Sequence, residues 1–117
     1  MSEQTQVRPA SGSEKHIGHV DSIPAGEGRT FIVGDQRIAV FRSRAGKLYA
    51  TQAECTHRGG PLADGIVAGT NIVCPLHEFR FEMSTGSPVG NTCDRLKTYP
   101  VQVDAAGEMT VLLEPQA

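Results

Sequence analysis

Two short segments, Cys55-Thr56-His57 and Cys74-Pro75-Leu76-His77, each set a cysteine beside a histidine, with sixteen residues between them. Both are stiffened by glycine or proline: Gly59-Gly60-Pro61 follows the first, and Pro75 lies inside the second. Soft thiolates and borderline imidazoles carried on short rigid segments are what a transition-metal site requires. One such pair alone is compatible with a surface histidine and a small buried cysteine. Two pairs at close spacing point instead to a shared metal centre, and the fold must bring the two segments together.

The rest of the chain describes the scaffold. Thirteen glycines and seven prolines in 117 residues favour short strands and turns over long helices. From Glu14 onward the text breaks into short runs rich in β-branched and aromatic residues. The expected strands are His16–Val20, Arg29–Val33, Arg37–Arg42 and Lys47–Thr51, then Asn71–Val73 and Phe79–Glu82. Thr98–Val103 and Met109–Leu113 are expected to close the chain as a hairpin around Ala106-Gly107. No window holds ten residues of 3.6-period apolar spacing. The expectation is an all-β antiparallel sandwich or barrel over residues 14–117, with a small loop-built insert at about residues 52–93. Met1–Ser13 is polar and reads as a disordered lead-in.

Composition excludes several classes. A net charge of −2 argues against a nucleic-acid binder. No apolar run approaches the roughly 18 residues of a membrane span, and the N-terminus carries no signal-peptide core. The expected compartment is the reducing cytoplasm, where cysteines serve metals or catalysis more often than disulfides. The chain contains no nucleophile elbow, no phosphate-cradling glycine loop and no dinucleotide fingerprint. No substrate site of its own is therefore expected.

The order of the ligand candidates narrows the metal. Zinc Cys2His2 sites usually pair Cys with Cys and His with His, whereas here each segment is mixed. A binuclear cluster with two Cys on one iron and two His on the other explains the mixing, because each facing loop then serves both irons. A zinc-stapled interaction domain remains the non-redox alternative.

The segments Cys55-Thr56-His57-Arg58-Gly59-Gly60-Pro61-Leu62 and Cys74-Pro75-Leu76-His77-Glu78-Phe79-Arg80-Phe81, followed by Thr85-Gly86, resemble the two cluster-binding boxes of Rieske [2Fe–2S] proteins. The flanks Ile38–Arg42, Leu48–Ala50 and Leu96–Val101 are similar to those of the small subunit of NAD(P)H-dependent nitrite reductase. They resemble, slightly less closely, the Rieske ferredoxins that feed aromatic-ring dioxygenases. The likeness implies a Rieske-type [2Fe–2S] cluster held by Cys55, His57, Cys74 and His77, with the cysteines on the inner iron and the histidines on the outer. It also implies a partner: the nitrite reductase large subunit, or else a flavin reductase and oxygenase pair.

Departures from the respiratory members of that family are informative. Their extra cysteine in each box, joined there as a disulfide, is replaced here by Gly60 and Leu76. Their hydroxyl residues after the second box are replaced by Phe79 and Phe81. Fewer donors to sulfur stabilise the reduced cluster less, so the expected potential is roughly −150 mV rather than about +300 mV.

Other residues have ordinary readings. Cys93 is expected to be a buried bystander, since both cluster cysteines are assigned. His16 and His19, three apart on a strand, should point to opposite faces and share no metal. Arg58, Glu78 and Glu82 read as solvated charges that could also touch a partner.

Overall fold

A computed structural model describes residues 14–56, 59–76 and 78–113. The expected lead-in over residues 1–13 lies outside them. Among the described residues, eleven strands form three antiparallel sheets. The first sheet has the order β1 (Glu14–His19), β11 (Glu108–Leu112), β10 (Val101–Val103). The second runs β2 (Glu27–Val33), β3 (Gln36–Arg42), β4 (Leu48–Gln52), β9 (Thr98–Tyr99). The third runs β5 (Ile66–Ala68), β6 (Asn71–Val73), β7 (Arg80–Glu82), β8 (Pro88–Val89). Among the described residues no helix is long and apolar enough to cross a membrane.

The apolar run Ile38-Ala39-Val40-Phe41 explains the layering. Successive side chains of a strand point to opposite faces, so a continuous apolar run suits a strand covered on both. Ile38 and Val40 enter one core with Ile23, Ala50, Tyr99, Met109 and Val111. Ala39 and Phe41 enter the other, with Leu62, Ile72, Phe81, Leu96 and the two motif cysteines. The second sheet is thus the middle layer, and β3 serves both cores. Phe41 is fully buried, and such burial contributes about 1.5–3 kcal/mol. Its ring lies against its cross-strand partner Gly28, where any Cβ would sit 2.5 Å from Cδ1.

The strands match the sequence pattern closely, with four physical corrections. Val20 leaves β1 for a single 3-10 turn over Val20–Ser22, in which the His19 ring accepts the Asp21 N–H at 3.0 Å. The expected strand 98–103 is divided at Pro100, which has no N–H to donate. Thr98 and Tyr99 pair with β4, whereas Val101–Val103 pair with β11, so the chain changes sheet at the proline. The insert is more regular than loops alone, because β5 and β8 join β6 and β7 in one sheet.

The fourth correction concerns the histidines. A bulge between His16 and Gly18 resets the alternation of β1. His16 and His19 then stand opposite Thr110 and Glu108, two residues apart in β11 and hence on one face. Each ring has its own partner. His16 Nε2 bonds Glu108 Oε1, and His19 Nε2, with Nδ1 already accepting, donates to the Ala106 carbonyl at 2.9 Å.

Candidate metal centre

Each motif begins where a strand ends. After β4, Leu62 N–H donates to the Ala53 carbonyl, and Glu54 and Pro61 form an isolated antiparallel bridge. Inside that bridge Cys55 N–H donates to Gly60 O at 2.8 Å, and Gly59 N–H donates to Cys55 O at 2.9 Å. Gly59 takes φ +70°, a left-handed conformation that a residue bearing a Cβ adopts only with strain. Backbone bonds from Cys55 to Gly59 and Gly60 therefore close the first loop at its base. The second is shorter. Cys74 N–H donates to Phe79 O at 2.7 Å, so residues 74–79 form the loop between β6 and β7. Glu78 holds φ +60° there, a region costly for a non-glycine residue outside a well-supported loop.

The two loops interlock. Cys55 and Cys74 are 4% and 1% exposed, belong to one core cluster, and have their side chains in hydrogen-bonding contact. Neither is in a disulfide. Gly60 of the first loop lies against the second loop: a Cβ at Gly60 would be 2.9 Å from Cys74 Sγ and 3.0 Å from Leu76 Cγ. The positions that carry an extra cysteine pair in the respiratory pattern are therefore side by side, filled by a glycine and the leucine that covers it. His57, Arg58 and His77 lie outside the described residues, so the structure brings the two cysteines together and says nothing of the histidines.

The electrostatics suit a cation. Burial first of all pushes the Cys74 thiol above its ordinary range; contact with Cys55 and the nearness of Cys93 raise it further, against a lowering bond from the Leu76 N–H. Two thiols packed together away from water resist ionisation unless a metal compensates the charge. As a donor set the pair fits a thiophilic metal or an iron–sulfur cluster. Phe81 is fully buried beneath the cysteines and Phe79 half-buried against the same core, so neither offers a hydroxyl to sulfur.

Cys93 is not the fully buried residue expected. It is half-buried, packs on the edge of the same core, and its thiol is also raised, by burial and then by Cys55 and Asp94. It belongs to a segment whose role was not visible in the sequence. Residues 90–97 run from β8 to β9 past both loops. Thr56 Oγ1 donates to Asp94 O at 2.7 Å, and Asn91 Nδ2 donates to Arg80 O at 3.0 Å. Gln52 completes the set: its Nε2 donates to Glu54 O, and its Oε1 accepts the Lys97 N–H, both at 2.8 Å. Isolated Thr, Asn and Gln residues in turn-rich text carry no periodic signal, and only their neighbours in space reveal them. Glu82 is tied up in the turn after β7, where it accepts from the Thr85 hydroxyl.

With this geometry in view, the relatives are consistent. The family described as Rieske [2Fe–2S] domain matches residues 13–100. A ferredoxin component of naphthalene 1,2-dioxygenase/salicylate 5-hydroxylase systems from Ralstonia sp. is 35% identical over 96 residues, which are 81% of this chain and 88% of the relative. Among solved structures, a chain from a complex of reduced oxygenase and oxidized ferredoxin in carbazole 1,9a-dioxygenase superposes with a TM-score of 0.79 at 29% identity, covering 90% of this chain and 97% of its own. A putative NADH-dependent nitrite reductase small subunit from Mycobacterium tuberculosis gives a TM-score of 0.78 at 20% identity, covering 89% and 95%. At that identity the likeness shows the fold alone.

Proposed function

As the chain belongs to the Rieske [2Fe–2S] domain family, a family of cluster-bearing electron carriers, we propose that it is the ferredoxin of an oxygenase system, moving single electrons from a flavin reductase. The observation that carries this reading is the buried, unbridged Cys55–Cys74 pair at the contact of two interlocked loops. The relative at 35% identity is a dioxygenase ferredoxin, and this favours an oxygenase as the acceptor. The nitrite reductase large subunit, suggested first by the flanking sequence, stands second because its structural support is limited to fold.

Cys55 and Cys74 supply the thiolates, and His57 and His77, one in each loop of the sequence, supply the imidazoles. When bound, the cluster accepts and returns one electron between two stable oxidation levels. The chain's own residues do the rest. The loop backbones orient the cysteines, Phe79 and Phe81 withhold hydrogen bonds from sulfur, and the middle sheet is the mount. Residues 52–93 are the cluster-binding part, and the remainder is scaffold.

Affinity isolation of the cluster-loaded protein from its native cells tests the partner. Recovery of an oxygenase and a flavin reductase is the expected result; recovery of a nitrite reductase large subunit overturns it in favour of the second reading. The apolar surroundings of the thiolates also predict a potential near the low end of the Rieske range, roughly −150 mV, by potentiometric titration. A value above zero contradicts the role given to Phe79 and Phe81. Zinc without acid-labile sulfide in the purified protein would contradict electron transfer altogether.

A further inference from the structure

We propose that the cleft between the β3–β4 turn and the β5–β6 turn is a binding site for a small aromatic carboxylate. The inference stands apart from the electron-transfer reading and needs no cluster.

The cleft is a cavity of about 340 Å³, bordered by Arg44, Lys47 and Tyr49 on the scaffold side and by Val67 and Thr70 on the other. Small-molecule sites are cavities of about this size or larger, with apolar walls and a few placed polar groups. The walls here are the half-buried Tyr49 ring and Val67, both packed on the core that holds the two cysteines. The charge is all of one sign. Arg44 and Lys47 border the cleft and no acidic residue does. Neither cation has an ion-pair partner among the described residues. In a chain of net charge −2, two uncompensated cations over an apolar wall leave a local positive field for an anion to answer.

The cations are placed by their surroundings. Ser43 N–H donates to Lys47 O at 2.8 Å, and Gly46 N–H donates to Ser43 O at 2.9 Å. Lys47 N–H donates to Ser43 Oγ at 3.0 Å, so the turn that carries both cations is bonded on itself. The Arg44 side chain lies along Gly26, where a Cβ would stand 3.4 Å from both its Cγ and its Cζ. With its stem supported on backbone, the planar guanidinium offers paired N–H donors to a carboxylate. The Tyr49 ring offers an aromatic partner a stacked or edge-on contact.

The position favours a small molecule over a redox partner. Thr70 lies four residues before Cys74, about 13 Å of extended strand through β6. The cleft is thus at the turn end of the β5–β6 hairpin, whereas a protein that exchanges electrons needs the cysteine loop at the other end.

The test titrates benzoate into the purified full chain by calorimetry, with benzyl alcohol, acetate and inorganic phosphate as comparison ligands. Arg44→Gln and Lys47→Gln are the variants; both side chains are exposed, so their unliganded thermal midpoints should stay near wild type. The expected result is saturable one-to-one binding of benzoate, weakened about tenfold in each variant by loss of one charge-assisted hydrogen bond. All three comparison ligands should bind more weakly. Absence of saturable benzoate binding overturns the inference, as does undiminished affinity in either variant. A comparison ligand that binds as tightly as benzoate also overturns it, acetate or phosphate marking an adventitious anion site. If an oxygenase is recovered with the wild type but not with Arg44→Gln, and benzoate does not bind, the cleft is a protein-docking surface and the inference fails. Should one variant misfold, the other decides by the same criteria.

Discussion

Replacing Cys74 by Ala should leave a folded chain that retains no cluster, with complete loss of the visible and EPR signals and of bound iron and sulfide. Cys74 and Cys55 are the two thiols in contact, and the half-buried Cys93, the third cysteine of the chain, belongs to a separate segment that the Asn91 side chain and Thr56 hold in place. The loop backbone does not depend on the thiol, since the Cys74 N–H bond to Phe79 O survives the change. Far-ultraviolet circular dichroism should therefore stay near wild type while iron content falls to background. His57→Ala and His77→Ala should behave the same way, and Cys93→Ala should keep its cluster. A Rieske spectrum surviving in either histidine variant, or vanishing in Cys93→Ala, would refute the assignment of four ligands.

The second large effect is expected at Gly86, which is not among the proposed ligands. This glycine ends the turn after β7 with φ +80°, and a Cβ there would lie 2.2 Å from the Leu96 carbonyl oxygen. Leu96 N–H in turn donates to Gly86 O, so the two residues are locked face to face. Gly86→Ala adds a left-handed penalty of about 1–2 kcal/mol to an overpacking cost of about 1–3 kcal/mol, because neither backbone can withdraw. A total near 3 kcal/mol is a large part of the roughly 5–15 kcal/mol that holds a domain together. The urea midpoint of the stripped protein should fall accordingly. A midpoint within experimental scatter of wild type would show that the Gly86–Leu96 contact relaxes freely.

The parts of this architecture that were legible from residues alone share a physical basis. Short runs of β-branched and aromatic residues between glycine-containing turns announced the sheets, because such residues suit a pleated, half-buried surface. The interlocked cysteines were legible because metal chemistry admits few residue types. What stayed hidden was set by backbone and by space. The bulge at Gly18 that moves His16 and His19 to one face depends on a single φ of +121°, which no neighbouring residue encodes. The change of sheet at Pro100 follows from the partners available to each half, which lie 47–49 residues away in β4 and 6–10 residues away in β11. Three-residue strands such as β5 bury only Val67, too little to stand out from a loop. Thr56, Asn91 and Gln52 needed three dimensions before they acquired a role.

Phe41 and Ala39 lie beneath the cysteines, while Val40 and Ile38, their immediate neighbours, belong to the core on the far side. The floor of the cysteine pair is thus the ceiling of a second packed interior, and close-packed interiors are poorly compressible. When the charge above that floor changes by one electron, the atoms around it have little room to move. Small nuclear rearrangement is what makes electron exchange fast in both directions. In a chain of this size, the doubly buried strand gives the cysteine pair a floor that cannot yield without disturbing a second core.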